Sequence, residues 1–218
     1  MHLPVGRLTG IFRGMSLPRR QQSDRTAATR TSVLDATVEL LIERGYAGTS
    51  TRLAAERAGV SLGALQHHFH TKAELSVEAM RYVTQRLAQE FVAAAPESDD
   101  VMERFGAILD RLLVVFRGPT FAAAVEIQLA SRTDSELQQP VRDLHHDVEG
   151  IILESATALM PEMAELPGFP AVLHTAVSAV RGLAITTMDP ITEIEKQWSL
   201  VRGQLLEIAR NLDPQETS

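Results

Sequence analysis

Apolar residues recur along this chain at helical spacing, and no stretch alternates in the way a strand requires. From about Thr26 to Arg44, Val33, Leu34, Val38, Leu41 and Ile42 fall on one face near the 3.6-residue period, which predicts an amphipathic helix. Gly45 stands where the end of such a helix favours a residue tolerant of positive φ. A short second helix is expected from Thr51, carrying Leu53, Ala54 and Ala58 inward and broken at Gly59. Ser61 is placed to cap a third helix, through Leu65 to about His68. Thr71-Lys72-Ala73-Glu74 has the spacing of a capping box and opens a long fourth helix to about Ala95. Pro96, Gly118-Pro119, Pro161, Pro167-Gly168 and Asp189-Pro190 divide the remainder into about five more helices. There is no internal repeat and no low-complexity block. The expected fold class is all-α, about nine helices in total, with a three-helix helix-turn-helix domain over 25–75 and a larger helical body over 76–218.

Composition narrows what such a chain can do. Its 218 residues suffice for a small domain joined to a larger one, and a hydrophobic fraction of 44% supplies a core. The absence of cysteine removes disulfides, thiolate metal sites and Cys nucleophiles, and fits the reducing cytoplasm expected as its location. No apolar run approaches the roughly 20 residues that span a bilayer, so no membrane partner is expected. Residues 1–24 are Arg-rich and free of acids up to Asp24, without the continuous apolar stretch of a secretory signal. They are expected to be a disordered basic lead-in, with a transit peptide or a start at Met15 as alternatives. Residues 1–80 carry 10 Lys and Arg against 7 Asp and Glu, and residues 81–218 carry 11 against 21. The resulting +3 and −10 make up the chain's −7, so only the front suits a polyanion.

The segment Gly45–Leu75 carries the candidate chemistry. Two short helices joined by a glycine-containing turn and braced by a longer helix form the helix-turn-helix arrangement, whose second helix enters the major groove. Here that helix begins with small or apolar residues, Leu62, Gly63 and Ala64, followed by Gln66, His67 and His68. Small residues at the front let the backbone approach the groove. Leu62 and Ala64 suit thymine methyls, and Gln66 can pair with adenine. Ser50, Thr51 and Lys72 stand at helix N-termini, where hydroxyl, N–H and ammonium groups suit phosphate; Ser61, the cap of the third helix, belongs to the same edge. Any three short amphipathic helices can share this spacing, so pattern alone leaves an ordinary helical domain equally open.

The residues themselves are more specific. The run Gly45-Tyr46-Ala47-Gly48-Thr49-Ser50-Thr51, then Leu53-Ala54, Ala58-Gly59-Val60-Ser61, Gly63, Leu65, His68-Phe69, Lys72 and Leu75, closely resembles the tetracycline-repressor (TetR) family over Thr29 to Leu75. The resemblance implies a DNA-binding transcriptional regulator in which Thr51, His67, His68 and Lys72 hold phosphates. Arg52 and Leu62–Ala64 would face bases. Most members have Tyr where this chain has Gln66, so the contact made there, and the operator preference with it, is left open.

The other polar residues carry less. His67 and His68 are adjacent on a helix and point about 100° apart, a poor chelating pair, and His145-His146 share the defect even with His174 in reach. No metal or cofactor is expected. Ser178 and Asp110 lack a nucleophile elbow or phosphate loop around them, so no catalytic residue is assigned.

The body shows apolar stripes: Phe105, Leu109, Leu112 and Phe116; Phe121, Val125 and Leu129; Val148, Ile152 and Met160. By resemblance, these helices enclose a small-molecule pocket. Its candidate lining is Phe105, Leu109, Phe116, Phe121, Val125, Val148 and Ile152, with Gln128, His145 and His174 as polar contacts. The last two helices, about Ala171–Met188 and Thr192–Asn211, resemble a pair that forms a four-helix dimer interface. Ala176, Ala179, Val180, Leu183, Ile194, Trp198, Val201, Leu205 and Ile208 are the candidate seam, although an intramolecular core would use the same residues. The function implied is a homodimeric repressor on palindromic double-stranded DNA, released by an unknown small-molecule effector. An activator or a ligand-free DNA binder, and an enzyme or carrier, are the competing classes.

Overall fold

The computed structural model describes residues 18–186 and 191–212. Ten helices and no strand occur among them: α1 (Pro18–Gly48), α2 (Thr51–Ala58), α3 (Leu62–Gln66), α4 (Lys72–Ala93), α5 (Val101–Phe116), α6 (Pro119–Ala130), α7 (Ser135–Leu159), α8 (Pro161–Ala164), α9 (Phe169–Ile185) and α10 (Ile191–Arg210). The one beyond expectation is α8, a single turn started by Pro161. The helix expected from Thr26 begins at Pro18, so α1 takes in 18–24 of the expected lead-in; residues 1–17 lie outside the described residues. No single helix among those described is long and apolar enough to cross a membrane.

Side chains cap the helices where the sequence offers them. Ser50, Ser61 and Thr71 accept bonds from the N–H groups of Leu53, Ala64 and Glu74, and Asp100 and Asp134 cap α5 and α7. These are the orphan donors of a first helical turn, and each cap is worth about 1 kcal/mol. The capping box at α4 differs from expectation in one bond. Glu74 reaches back past the cap to accept from His70 N at 2.7 Å.

Two cores hold the bundle, and the first runs across residue 75. The first gathers Val33, Leu34, Leu40 and Leu41 of α1, Ala54 of α2, Leu65 of α3 and Phe69, then Leu75 to Val83 along α4. It continues without a break into Ala123 and Ile127 of α6 and Leu137, Val141 and Leu144 of α7. Arg81 of α4 pairs with Asp147 of α7 along its rim. The second core joins Phe105 and Leu109 of α5, Met163 of α8, Phe169, Val172 and Ala176 of α9, and Leu205 and Ala209 of α10. Asp110 pins α10 across α5, accepting from Trp198 Nε1 at 2.8 Å and Arg202 Nε at 2.9 Å. Gly106 leaves room for that guanidinium, since a Cβ there would strike it. Thus α4 and α7 run through both cores, and the helix-turn-helix is built onto the body rather than tethered to it.

Candidate nucleic-acid interface

The edge built by α2, α3 and the start of α4 brings the expected residues together. Leu65 is fully buried and Phe69 nearly so, and these anchors fix which side of α3 faces out. That outer side presents Ser61, Leu62, Gly63, Gln66 and His67, with Ala64 and His68 half-buried beside them. Leu62 is an apolar side chain left 40% exposed. A Cβ added at Gly63 would meet nothing within 4 Å, so glycine here serves no packing need of the protein itself. Its use is to leave the surface flat. Gly59 supplies the turn between α2 and α3 at φ 68°, ψ 27°, a left-handed conformation in which other residues are strained.

Charges flank this edge. Arg52 projects into solvent and is held only by the exposed Glu56, at 3.0 Å, a contact of little net worth that a phosphate or base can displace. Arg57, by contrast, is turned back onto Glu43 at 2.8 Å and ties α2 to α1. His68 sits edge-on to His67, with ring centroids 5.5 Å apart. Burial, helped by His67 and Arg30, holds its pKa below the ordinary histidine value. Thr51 and Ser50 are half-buried at the start of α2.

Lys72 does more than the sequence suggests. Its ammonium lies 4.1 Å from the centre of the Tyr46 ring and 3.4 Å from the Ala47 carbonyl. Partial burial lowers its pKa. Tyr46 is in turn clamped by the body: its N–H donates to Glu126 of α6 at 2.7 Å, and its hydroxyl donates to Asp134 at 3.2 Å. Burial first, then the Asp134 charge, pushes the phenol up to about 12, so it remains a donor at physiological pH. Gly45 makes the clamp possible. Its φ of 66° and ψ of 179° lie in a region that is essentially glycine's alone, and a Cβ there would collide with the Glu126 carboxylate. Sequence reasoning placed Gly45 as a helix stop and did not find Glu126 or Asp134. The sequence separation of 80 and 88 residues hides both partners.

Comparison with known proteins decides the family. Residues 33–79 match the model of bacterial regulatory proteins, tetR family. An uncharacterised helix-turn-helix transcriptional regulator of Mycobacterium tuberculosis is 30% identical over 181 residues, covering 82% of this chain and 92% of that one. The chain belongs to the TetR family. Like the rest of the TetR family it is a DNA-binding transcriptional regulator. Among solved structures, a TetR-family regulator from Rhodococcus sp. shares the fold with a TM-score of 0.63 at 20% identity, over 85% of this chain and 98% of that one. FadR from Bacillus subtilis, solved with stearoyl-CoA, does so with a TM-score of 0.55 at 16% identity, over 82% and 96%.

In this TetR-family chain the candidate pocket residues fall in several different surroundings. Phe105 and Leu109 belong to the second core, 3% and 1% exposed, among their own chain's side chains. Phe116 and Phe121 meet edge-to-face at the α5–α6 corner, 4.7 Å between centroids. Val125 and Ile152 are half-buried, Val148 packs against the first core, and His174 is exposed on α9. Gln128 and His145 line a cleft of about 400 Å³ with Leu129, Ser131, Arg132, Gln138, Val141 and Arg142.

The candidate dimer seam divides by burial within the single chain. Ala176, Val180, Ile194 and Leu205 are 0–3% exposed within the single chain, because they are the inner stripe by which α9 and α10 pack on α5 and each other. Trp198 is engaged with Asp110, and Ala179, Leu183 and Val201 are half-buried. Of the expected set only Ile208 is a large exposed side chain, at 44%. The outer face of the same two helices carries Ile185 and Leu200 instead, 57% and 66% exposed, along with Gly182 and Gly203, which have open space at their Cβ positions.

Proposed function

We propose that the protein is a cytoplasmic homodimeric repressor that reads a palindromic operator with α3 and leaves it when a small-molecule effector binds the body. The observation that carries this reading is the outward edge of α3. It is a short helix whose exposed residues are glycine, an unpacked leucine and Gln66, flanked by Thr51 and Lys72 at two further helix starts. Such an edge has no role inside the protein and fits a groove whose walls are phosphate and whose floor is base edges. The thymine methyl is the natural partner of Leu62, and Gln66 is free to meet an adenine edge where a bulkier aromatic ring would turn to the backbone.

Dimerisation supplies the second half-site. The outer face of α9 and α10 supports it, since exposed Ile185, Leu200 and Ile208 beside two open glycines allow close helix approach. With two copies so joined, the recognition helices are spaced for successive major grooves, about 34 Å apart. An effector then acts only through its differential affinity for two spacings of those helices. The experiment is fluorescence anisotropy of the protein on the operator found by genomic footprinting and on a scrambled duplex, at two salt concentrations. The reading expects tight, salt-sensitive, sequence-selective binding. Equal affinity for both duplexes would remove the repressor reading, and operator binding that no compound relieves would remove the effector.

A further inference from the structure

The cleft between the end of α6 and the first half of α7 has a composition unlike the surface around it. The body is strongly acidic, and four of its arginines, Arg81, Arg86, Arg104 and Arg202, each meet a carboxylate. Arg132 and Arg142, which line the cleft, meet none among the described residues; Arg142 is steadied by the neutral Gln139 side chain, 2.6 Å away. No acidic residue lines the cleft. His145 lies at its wall, where burial and the nearby Arg181 of α9 press its pKa down. Two glutamines add neutral donors, while Leu129, 58% exposed, and Val141 give an apolar surface. About 400 Å³ falls within the range of small-molecule sites.

We propose that this cleft binds an amphipathic organic anion, its carboxylate or phosphate head on Arg132 and Arg142 and its short apolar body on Leu129 and Val141. Arg132 and Arg142 are exposed and without a carboxylate partner among the described residues, and a planar or tetrahedral oxyanion offers each a charge-assisted bond. The site is also wired to the DNA-binding edge. Ser131 and Arg132 belong to the same turn as Asp134, which accepts the Tyr46 hydroxyl, and Gln128 is two residues from Glu126, which accepts the Tyr46 N–H. An anion drawing Arg132 inward moves the turn that clamps Tyr46, and with it the ring on which Lys72 rests. This last step deepens the effector-gated reading and rests on it; the binding step does not.

The binding test is calorimetry with octanoate, octyl phosphate, octanamide and inorganic phosphate. Octanoate or octyl phosphate should bind the wild type at least about tenfold more tightly than octanamide or inorganic phosphate, and Arg132→Gln or Arg142→Gln should each lose about tenfold. Arg117→Gln, which removes an exposed charge elsewhere, should change nothing. No binding of either amphipathic anion, equal binding of octanamide, or equal losses in all three variants would overturn the site. The three arginine variants change solvent-facing residues, and unchanged melting temperatures certify the folds of all the variants. Operator release by the bound anion should fall at least about fivefold in Tyr46→Phe and Asp134→Asn while anion affinity holds. Anion binding without release overturns the coupling alone. Release by some other compound would still leave the effector-gated reading standing.

Discussion

Two glycines eighteen residues apart, Gly45 and Gly63, answer to different demands, and substitution separates them. Gly45→Ala places a Cβ at positive φ against the Glu126 carboxylate, so it should cost about 1–3 kcal/mol in urea unfolding. Gly63→Ala meets no neighbour and sits inside a helix. It should leave stability unchanged or raise it by up to about 1 kcal/mol while weakening operator binding, because the methyl stands between helix and groove. A loss of stability in Gly63→Ala would show that the glycine serves the fold. Lys72 and Gln66 divide in the same way. Lys72→Ala should weaken the operator and a scrambled duplex alike, with a salt slope shallower by about one unit per half-site. Gln66→Ala should cost about 1–3 kcal/mol per half-site on the operator alone. His68 adds a dependence on pH. Its folded pKa is depressed, so the unfolded chain takes up a proton first. Stability of the free protein should therefore erode as pH falls through about 6.5. DNA phosphate favours the charged ring, so affinity should rise over the same fall, and His68→Gln should flatten both curves in thermal melts and anisotropy.

Among the elements, α10 shows how far periodicity reads and where it stops. The stripe Ile194, Trp198, Val201, Leu205 is visible in the sequence as the apolar face of a helix, and it is that. Periodicity cannot say whether the partner is another helix of the same chain or a second chain. The answer depends on Asp110 and Gly106, 88 and 96 residues before Trp198 and Arg202. The helix-turn-helix was legible for the opposite reason: its caps, turn glycine and anchors all act within a few residues of each other. The clamp on Tyr46 and the arginine cleft were not, since each is made by residues that are unremarkable until α6 and α7 fold back. The dimer test shifts accordingly. Leu200→Glu and Ile208→Glu should give monomers by sedimentation with unchanged helicity, whereas Leu205→Ala should cost about 2–5 kcal/mol of stability. A wild-type monomer at tens of micromolar would remove the α9–α10 interface.

At the scale of the whole molecule, charge and packing act in different directions. The −10 carried by residues 81–218 keeps the body away from phosphate, so the protein approaches DNA by one end and non-specific binding should fade steeply with salt. The first core instead makes that end inseparable from the rest. Leu65 and Phe69 of the DNA-reading region share one buried cluster with Ile127 of α6 and Leu137 and Val141 of α7. Grafting therefore has a rule here. A chimera that exchanges everything before Leu75 for a relative's segment would set foreign side chains against α6 and α7 and inherit a mismatched interior. Retargeting the protein to a new operator calls for rewriting only the outward skin of α3, at Leu62, Gly63, Gln66 and His67, and leaving every residue beneath it as it is.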